Sequence, residues 1–199
     1  KKEGIGKWGE EAAAAANGQE PGDIKVQDVD GNGVITTDDR IIYSQRPDVT
    51  FGFNNTFNYK GFDLSVFLYA RLGQWIAYDY NTTYRINALE NGGNVDYWTP
   101  ENPTNAFPRP NKSKSYTQVT YYSTLKYEDG SFFKIRDITL GYTFKPELLK
   151  HLNLSRLRVY ATAKNFFTFS KIDNYDPEQG GSISFPMTKQ LVFGLNVEF

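Results

Sequence analysis

The chain has 199 residues, enough for one domain with its own core, and carries 22 basic against 23 acidic side chains for a net charge of −1. That balance excludes the basic footprint of a nucleic-acid binder, and the absence of cysteine excludes disulfides, thiolate metal sites and cysteine nucleophiles. Aromatic residues make up 16% of the chain, a bias that favours β structure and suits either a soluble sandwich or the interface girdles of a membrane barrel.

The chain begins at Lys1 without an initiator Met or a charged-then-apolar leader. We read this as an internal start, of a fragment whose targeting signal is removed or lies upstream. Ala12 to Ala16, after Glu10-Glu11, predicts a short helix ending at Asn17-Gly18. Pro21-Gly22 then breaks the chain.

Residues 23–47 form an acidic, glycine-rich loop. Within it, Asp28-x-Asp30-x-Asn32-Gly33-Val34-Ile35-Thr36-x-x-Asp39 follows the spacing of a calcium loop. Hard cations need several oxygens converging on one point, and this spacing wraps them around a sharp turn. Asp28, Asp30 and Asn32 stand at positions 1, 3 and 5. The Val34 carbonyl follows at 7, Thr36 is a further candidate, and Asp39 closes the loop at 12. The usual closing residue is Glu, so the reach of Asp39 is shorter. The alternative is an Asx-rich turn that caps itself without metal.

After Pro47 the pattern changes to period two. Phe51, Phe53, Phe57 and Tyr59 share one face of a strand, Lys60-Gly61 makes a tight turn, and Phe62, Leu64, Val66, Leu68 and Ala70 share one face of the return strand. No apolar run approaches the roughly 18 residues of a membrane-spanning helix, so a membrane role requires strands.

Residues 73–131 read as one long irregular loop with four prolines, a length usually tied to function. Its aromatics (Trp75, Tyr78, Tyr80, Tyr84, Tyr97, Trp98, Tyr116, Tyr121 and Tyr122) are of the kind that stack on sugar rings. We single out Trp75, Tyr78, Tyr80 and Trp98 as ligand-binding candidates. The alternative is packing of the loop on itself or on a lid protein.

Three more strands close the chain. In 132–144, Ile138, Leu140, Tyr142 and Phe144 alternate with polar residues, and Pro146 starts a short helical turn through Leu149. In 156–169, Leu157, Val159, Ala161, Ala163, Phe167 and Phe169 alternate. In about 188–199, Leu191, Phe193, Leu195, Val197 and Phe199 do so. Lys134 and Arg136 share parity with Ile138. At mid-bilayer each would cost roughly 2–4 kcal/mol, so we expect them above the hydrocarbon.

Short connections at Lys60-Gly61 and 145–155 fall at one end of these strands, and long ones (21–50, 73–131 and 170–187) at the other. A barrel sorts its loops this way, with the long ones extracellular. Five strands leave two open edges, which lipid does not tolerate, so the barrel must be completed by strands outside this sequence. His151, the single histidine, lies in a connector as a surface residue. The acid pairs Asp38-Asp39 and Asp176/Glu178 lie in loops rich in Asn and Gly, as turn formers or metal ligands. We expect no enzyme.

From about residue 21 onward the chain resembles the SusC/RagA family of TonB-dependent outer-membrane transporters of Bacteroidetes. The resemblance is carried by Asp129-Gly-Ser-Phe-Phe-Lys-Ile-Arg-Asp-Ile-Thr-Leu-Gly-Tyr142, Leu157-Arg-Val-Tyr160, Lys164-Asn-Phe-Phe-Thr-Phe169, Tyr175-Asp-Pro-Glu178 and the terminal Phe193-Gly-Leu-Asn-Val-Glu-Phe199. Upstream it is carried by Pro21-Gly-Asp-Ile-Lys25, Asp28-Val-Asp-Gly-Asn-Gly-Val-Ile35 with Asp39-Arg40, Phe51-Gly-Phe-Asn-Asn55 and Tyr59-Lys-Gly-Phe-Asp-Leu-Ser65.

The resemblance implies an all-β fold: residues 1–199 as the C-terminal strands of a large antiparallel transmembrane β-barrel with long extracellular loops, its plug domain and earlier strands lying outside the sequence. It implies TonB-dependent import of oligosaccharide or peptide, with a SusD-like surface lipoprotein as lid, TonB engaged through an N-terminal region, and the outer membrane's lipid and lipopolysaccharide around it. It also makes Leu191, Phe193, Leu195, Val197 and Phe199 the signal read by the barrel-assembly machinery. Two other readings stand beside it: a secreted soluble glycan-binding β module with a calcium loop, and a non-transporting pore or adhesin. In the soluble module the apolar faces would pack on each other.

Overall fold

The computed structural model describes residues 2–5, 19–78, 80, 95–110, 125–185 and 187–199. The helix expected at Ala12–Ala16 lies outside them, as do Tyr84, Tyr116, Tyr121 and Tyr122 of the long loop. Among the described residues nine strands run in chain order. They are β1 (Lys2–Ile5), β2 (Ile24–Val26), β3 (Val49–Tyr59), β4 (Phe62–Leu72), β5 (Trp75–Ala77), β6 (Tyr127–Asp129), β7 (Phe132–Thr143), β8 (Arg156–Ser170) and β9 (Gln190–Glu198). A short helix, α1 (Pro146–Leu149), has Pro146 in its first turn, where the missing N–H costs nothing.

The five long strands form one antiparallel sheet in the order β3-β4-β7-β8-β9. Their bounds match the period-two segments to within a residue or two. Two-stranded sheets pair β1 with β2 and β5 with β6, so residues 73–131 contain short strands rather than loop alone.

By contact the chain divides into two compact units. One comprises 1–43, 76–128 and 181–183; the other comprises 44–75, 129–180 and 184–199 and holds the five-stranded sheet. The first has a small core of Ile24, Trp98 and Leu125, with Val26, Val95 and Phe107 packed against it. Gly22, at φ +90°, makes room for it: a Cβ there would meet the Trp98 ring at 2.5 Å.

In the sheet, register turns alternation into two chemically distinct faces. Residues directly opposite across an antiparallel pair point the same way, so one face can be read in rows across the strands. Tyr59, Phe62, Tyr142, Val159 and Leu195 form the row nearest the short connections. Then come Phe57, Leu64, Leu140, Ala161 and Phe193, followed by Asn55, Val66, Ile138, Ala163 and Leu191. Phe53, Leu68, Ile135 and Phe167 form the next row, and Phe51, Ala70, Phe133 and Phe169 the last. None of these positions is charged. The first and last rows carry three aromatic rings each, the second and fourth two each, and the middle row none. Eight residues separate Phe62 from Ala70; at about 3.3 Å each and a strand tilt near 40° the rows span about 20 Å.

The rows run through a break in the ladder. Opposite the single step Phe67–Leu68 on β4, β7 takes two steps from Asp137 to Ile135. Opposite those two, β8 takes three from Lys164 to Phe167. The extra residue on β7 is Arg136, and Asn165 within the β8 segment has φ +58°. A bulge of one residue reverses parity. This corrects the expectation for Lys134 and Arg136. Ile135 and Phe133 continue the apolar face, while both cations lie on the opposite, polar face.

The β3–β4 turn has Lys60 at φ +49° and Gly61 at φ +91°, the two left-handed positions that a two-residue hairpin with matching twist requires. Gly61 O accepts a hydrogen bond from Thr143 N at 2.8 Å, and a Cβ on Gly61 would lie 2.8 Å from Thr143 O. Gly61→Ala is therefore expected to lower folding stability by about 1–3 kcal/mol, read as a lower denaturation midpoint. An unchanged midpoint contradicts this turn geometry.

Candidate functional site

Three features offer chemistry: the acidic loop, the polar face of the sheet, and the aromatics of 73–131.

The acidic loop is built by its own side chains. Gly31 at φ +75° and Gly33 at φ +82° let it double back. Gly31 N and Gly33 N donate to the two Asp28 oxygens at 2.7 and 2.8 Å. Asn32 N and Nδ2 donate to Asp30, and Val34 N donates to Asn32 Oδ1 at 2.8 Å. Thr36 and Asp39 form a reciprocal cap on the short turn Thr37–Asp39.

Asp39, 5% exposed, takes Thr36 N and Val29 N at 2.7 Å each. Those amide donors, Thr36 first, hold its carboxyl below the usual 3.8, so it is ionised throughout the neutral range. Carboxylate oxygens of Asp28, Asp30 and Asp39 all lie within 4.8 Å of one another. Three negative charges at that separation repel. Backbone N–H dipoles relieve part of the repulsion, and a hard divalent cation between the acids would relieve the rest. The structure thus brings together the three acids proposed as ligands. Asn32 and Thr36 lie on the same loop with their oxygens accepting from Val34 N and Asp38 N.

The polar face of the sheet carries a set of ion pairs that sequence reading missed. Lys134, with a fully buried side chain, reaches Asp176 at 2.6 Å and Glu178 at 2.8 Å; these carboxylates are only 12% and 11% exposed. Arg136 joins Glu178 at 2.9 Å and lies over the Tyr69 ring at 5.5 Å. Lys134 lies over Phe132 at 5.6 Å. The segment after β8 is shaped to deliver the two acids. Asp176 caps the short turn Pro177–Gln179 through Glu178 N, and Pro177 is buried. Asp176 and Glu178 are thus clamps on Lys134. Toward the short connections, Arg158 binds Asp63 in a two-pronged pair at 2.9 and 2.5 Å. Asp137 faces Lys164 at 3.8 Å, and Thr139 and Thr162 share a hydrogen bond at 2.8 Å.

The four aromatics proposed as ligand contacts are not equivalent. Trp98 and Tyr78 are each 4% exposed. Trp98 fills the core beside Ile24, which leaves no ring face open for stacking and places it among structural residues. Tyr78 stacks on Tyr80 with ring centroids 5.8 Å apart. Trp75 and Tyr80 are half-buried. His151 is exposed, as expected of a connector residue.

Comparison with known proteins agrees with this architecture. No family model matches the chain. It is 30% identical over 98% of its length to TonB-dependent receptor P3 of Formosa agariphila, and 31% identical over 86% of its length to TonB-dependent receptor SusC of Bacteroides thetaiotaomicron. It covers 21% and 17% of those proteins, so it spans about a fifth of the length of the curated relatives it matches. Among solved structures it is similar to the RagAB peptide transporter, at 27% identity over 86% of the chain and 20% of that chain, with a TM-score of 0.66. It is also similar to the RagAB peptide importer in the 'open-open' state, at 25% identity over 100% of the chain and 22% of that chain, with a TM-score of 0.67. The resemblance to SusC and RagA-type transporters and the all-β fold hold. The relatives are receptors and transporters, not enzymes.

Lys134→Met leaves Asp176 without its cation and Glu178 with Arg136 alone, and breaking a buried pair in this way typically costs about 3–5 kcal/mol. The expected result is release of residues 171–180, seen as faster amide exchange and new proteolytic cleavage there. Adding Asp176→Asn and Glu178→Gln to the same chain is expected to restore protection. Protection unchanged by Lys134→Met means the triad does not hold this segment.

Proposed function

We propose, starting from the chain's homology to TonB-dependent receptors, that it forms part of the wall of an outer-membrane β-barrel importing nutrients. The observation that carries this reading is the uncharged face of the sheet. Its large side chains stay exposed: Phe193 at 74%, Leu195 at 64% and Leu140 at 52%. A soluble sandwich would bury them under a second layer, whereas hydrocarbon covers them without one. The aromatic rows at both ends suit the two membrane–water interfaces, and the ion-paired opposite face suits an aqueous lumen. Among the described residues β3 and β9 each pair on one side only, and those open edges call for neighbouring strands.

In this reading 21–50 and 73–131 are extracellular, at the end opposite Lys60-Gly61. The cargo is an oligosaccharide or peptide, handed over with a SusD-like surface lipoprotein, and TonB engages another part of the protein. The similarity to the TonB-dependent receptor SusC and to the RagAB peptide importer supports TonB-dependent import, with peptide as one cargo class. Of the four candidates, Trp75 and Tyr80 are half-buried and Tyr78 and Trp98 only 4% exposed, so Trp75 and Tyr80 are the two open to cargo contact. Leu191, Phe193, Leu195, Val197 and Phe199 serve as the barrel-assembly signal, with Phe199 93% exposed.

Charge placement tests the wall. In the full-length protein, Ile138→Arg puts a guanidinium at mid-height on the apolar face, at a cost of about 2–4 kcal/mol. Thr56→Arg puts one on the polar face. Ile138→Arg is expected to reduce heat-modifiable barrel in the outer-membrane fraction several-fold while Thr56→Arg leaves it near normal. Phe199→Ala is expected to reduce it as well. Equal tolerance of both arginines sinks the barrel reading, and undiminished barrel with Phe199→Ala removes the assembly signal.

Calcium fits the acidic loop as a structural staple: Asp28, Asp30 and Asp39 converge, and Asn32, Thr36 and the Val34 carbonyl lie on the same turn. At ten times its Kd a bound ion would stabilise the loop by about 1.4 kcal/mol. Calorimetry with calcium after chelation is expected to give binding heat and a raised melting temperature, both lost in Asp28→Ala. Absence of heat and of a melting shift at millimolar calcium makes the loop a self-capped turn.

A further inference from the structure

The connection between β7 and β8 carries exposed apolar side chains that neither the polar face nor the acidic loop explains. In α1 and the 3-10 turn that continues it (Lys150–Leu152), Leu149 is 2% exposed and anchors the segment, while Leu148 is 61% and Leu152 62% exposed. Four residues apart on a helical path, these two leucines lie on one side. Lys145 precedes them and Lys150 lies between them, both exposed. Across 144–156 the basic residues are Lys145, Lys150 and Arg156, against the single acid Glu147.

The segment is fixed in place. Phe144 N donates to Leu157 O at 2.9 Å, and Ser155 N donates to Glu198 O at 2.8 Å. Asn153 ends the turn in the left-handed conformation at φ +51°. It lies at the same end of the sheet as the Tyr59, Phe62 and Tyr142 row, where Lys60 lies over the Tyr59 ring at 5.2 Å. Phe62 and Tyr142 have ring centroids 4.6 Å apart.

We propose that this connection is a membrane-interface anchor. Leu148 and Leu152 enter the acyl layer of the leaflet nearest the short connections, and Lys145 and Lys150 bind the phosphates of its phospholipids. A rigid turn presenting two aliphatic side chains beside cations, continuous with an aromatic row, matches the chemistry of an anionic bilayer surface. The proposal rests on the barrel reading above.

The test uses the full-length protein in vesicles of phosphatidylethanolamine and phosphatidylglycerol, with a nitroxide label on Leu148→Cys, Leu152→Cys or Leu140→Cys in turn. Collision rates are measured with oxygen, which concentrates in acyl chains, and with a water-soluble nickel chelate. The expected result is oxygen over nickel by several-fold at Leu148 and Leu152, at a shallower depth than at Leu140. Replacing both lysines by Gln is expected to shift Leu148 and Leu152 toward nickel; no shift overturns the phosphate contact. Nickel access at Leu148 and Leu152 with oxygen access at Leu140 overturns the anchor and leaves the barrel intact. Nickel access at all three overturns the barrel reading together with the anchor.

Discussion

A β-strand can keep its two faces chemically distinct only while every step alternates. β7 contains the sequence Phe133-Lys134-Ile135-Arg136 upstream of Asp137-Ile138, and under strict alternation Lys134 and Arg136 share the face of Ile138. The bulge at Arg136 removes that conflict by spending one residue without a partner on β4. The Lys134 ammonium then reaches Asp176 and Glu178, and the uncharged rows of the opposite face continue through Ile135 and Phe133. The cost is local, a disturbed ladder over one or two hydrogen bonds. The alternative is two cations on the exposed apolar face, each worth roughly 2–4 kcal/mol at mid-bilayer depth.

The two faces then solve different problems with the same backbone. On the apolar side the side chains leave no polar atom to satisfy apart from Asn55 and the two tyrosine hydroxyls of the first row. On the polar side nearly every charge has a named partner: Asp63 with Arg158, Asp137 with Lys164, and the two acids after β8 with Lys134 and Arg136. The low exposure of the Lys134 triad raises the strength of its ion pairs and the penalty for breaking them in the same measure. A surface pair such as Arg156 with Glu198, 52% and 59% exposed, carries neither consequence.

Much of this was legible in the sequence for a physical reason. Strand existence, the Lys60-Gly61 turn and the apolar face of β8 and β9 all follow from side-chain period and turn chemistry, which are local. The bulge was not legible, because it exists only relative to β4, and register is a property of two strands. The clamp on Lys134 was hidden for the same reason: Asp176 and Glu178 lie more than forty residues away. Trp98 reads as a binding aromatic from its loop, yet Ile24 and Gly22, far upstream, draw it into a core. The acidic loop was readable to the level of its spacing. Its backbone amides then turned out to occupy one lone pair on most of its oxygens.

The ladder break is also a lesson in coupled lengths. Crossing it takes one step on β4, two on β7 and three on β8, as lanes lengthen toward the outside of a curve. A deletion in any one lane leaves its neighbours out of step. Removing Arg136 alone would swing Lys134 across to the wrong side and unseat the pairing with β8 as well. A shortened variant that keeps both faces must drop residues from two strands together. Sequence drift in this stretch is therefore constrained in pairs of insertions and deletions, although the residues involved look individually unremarkable.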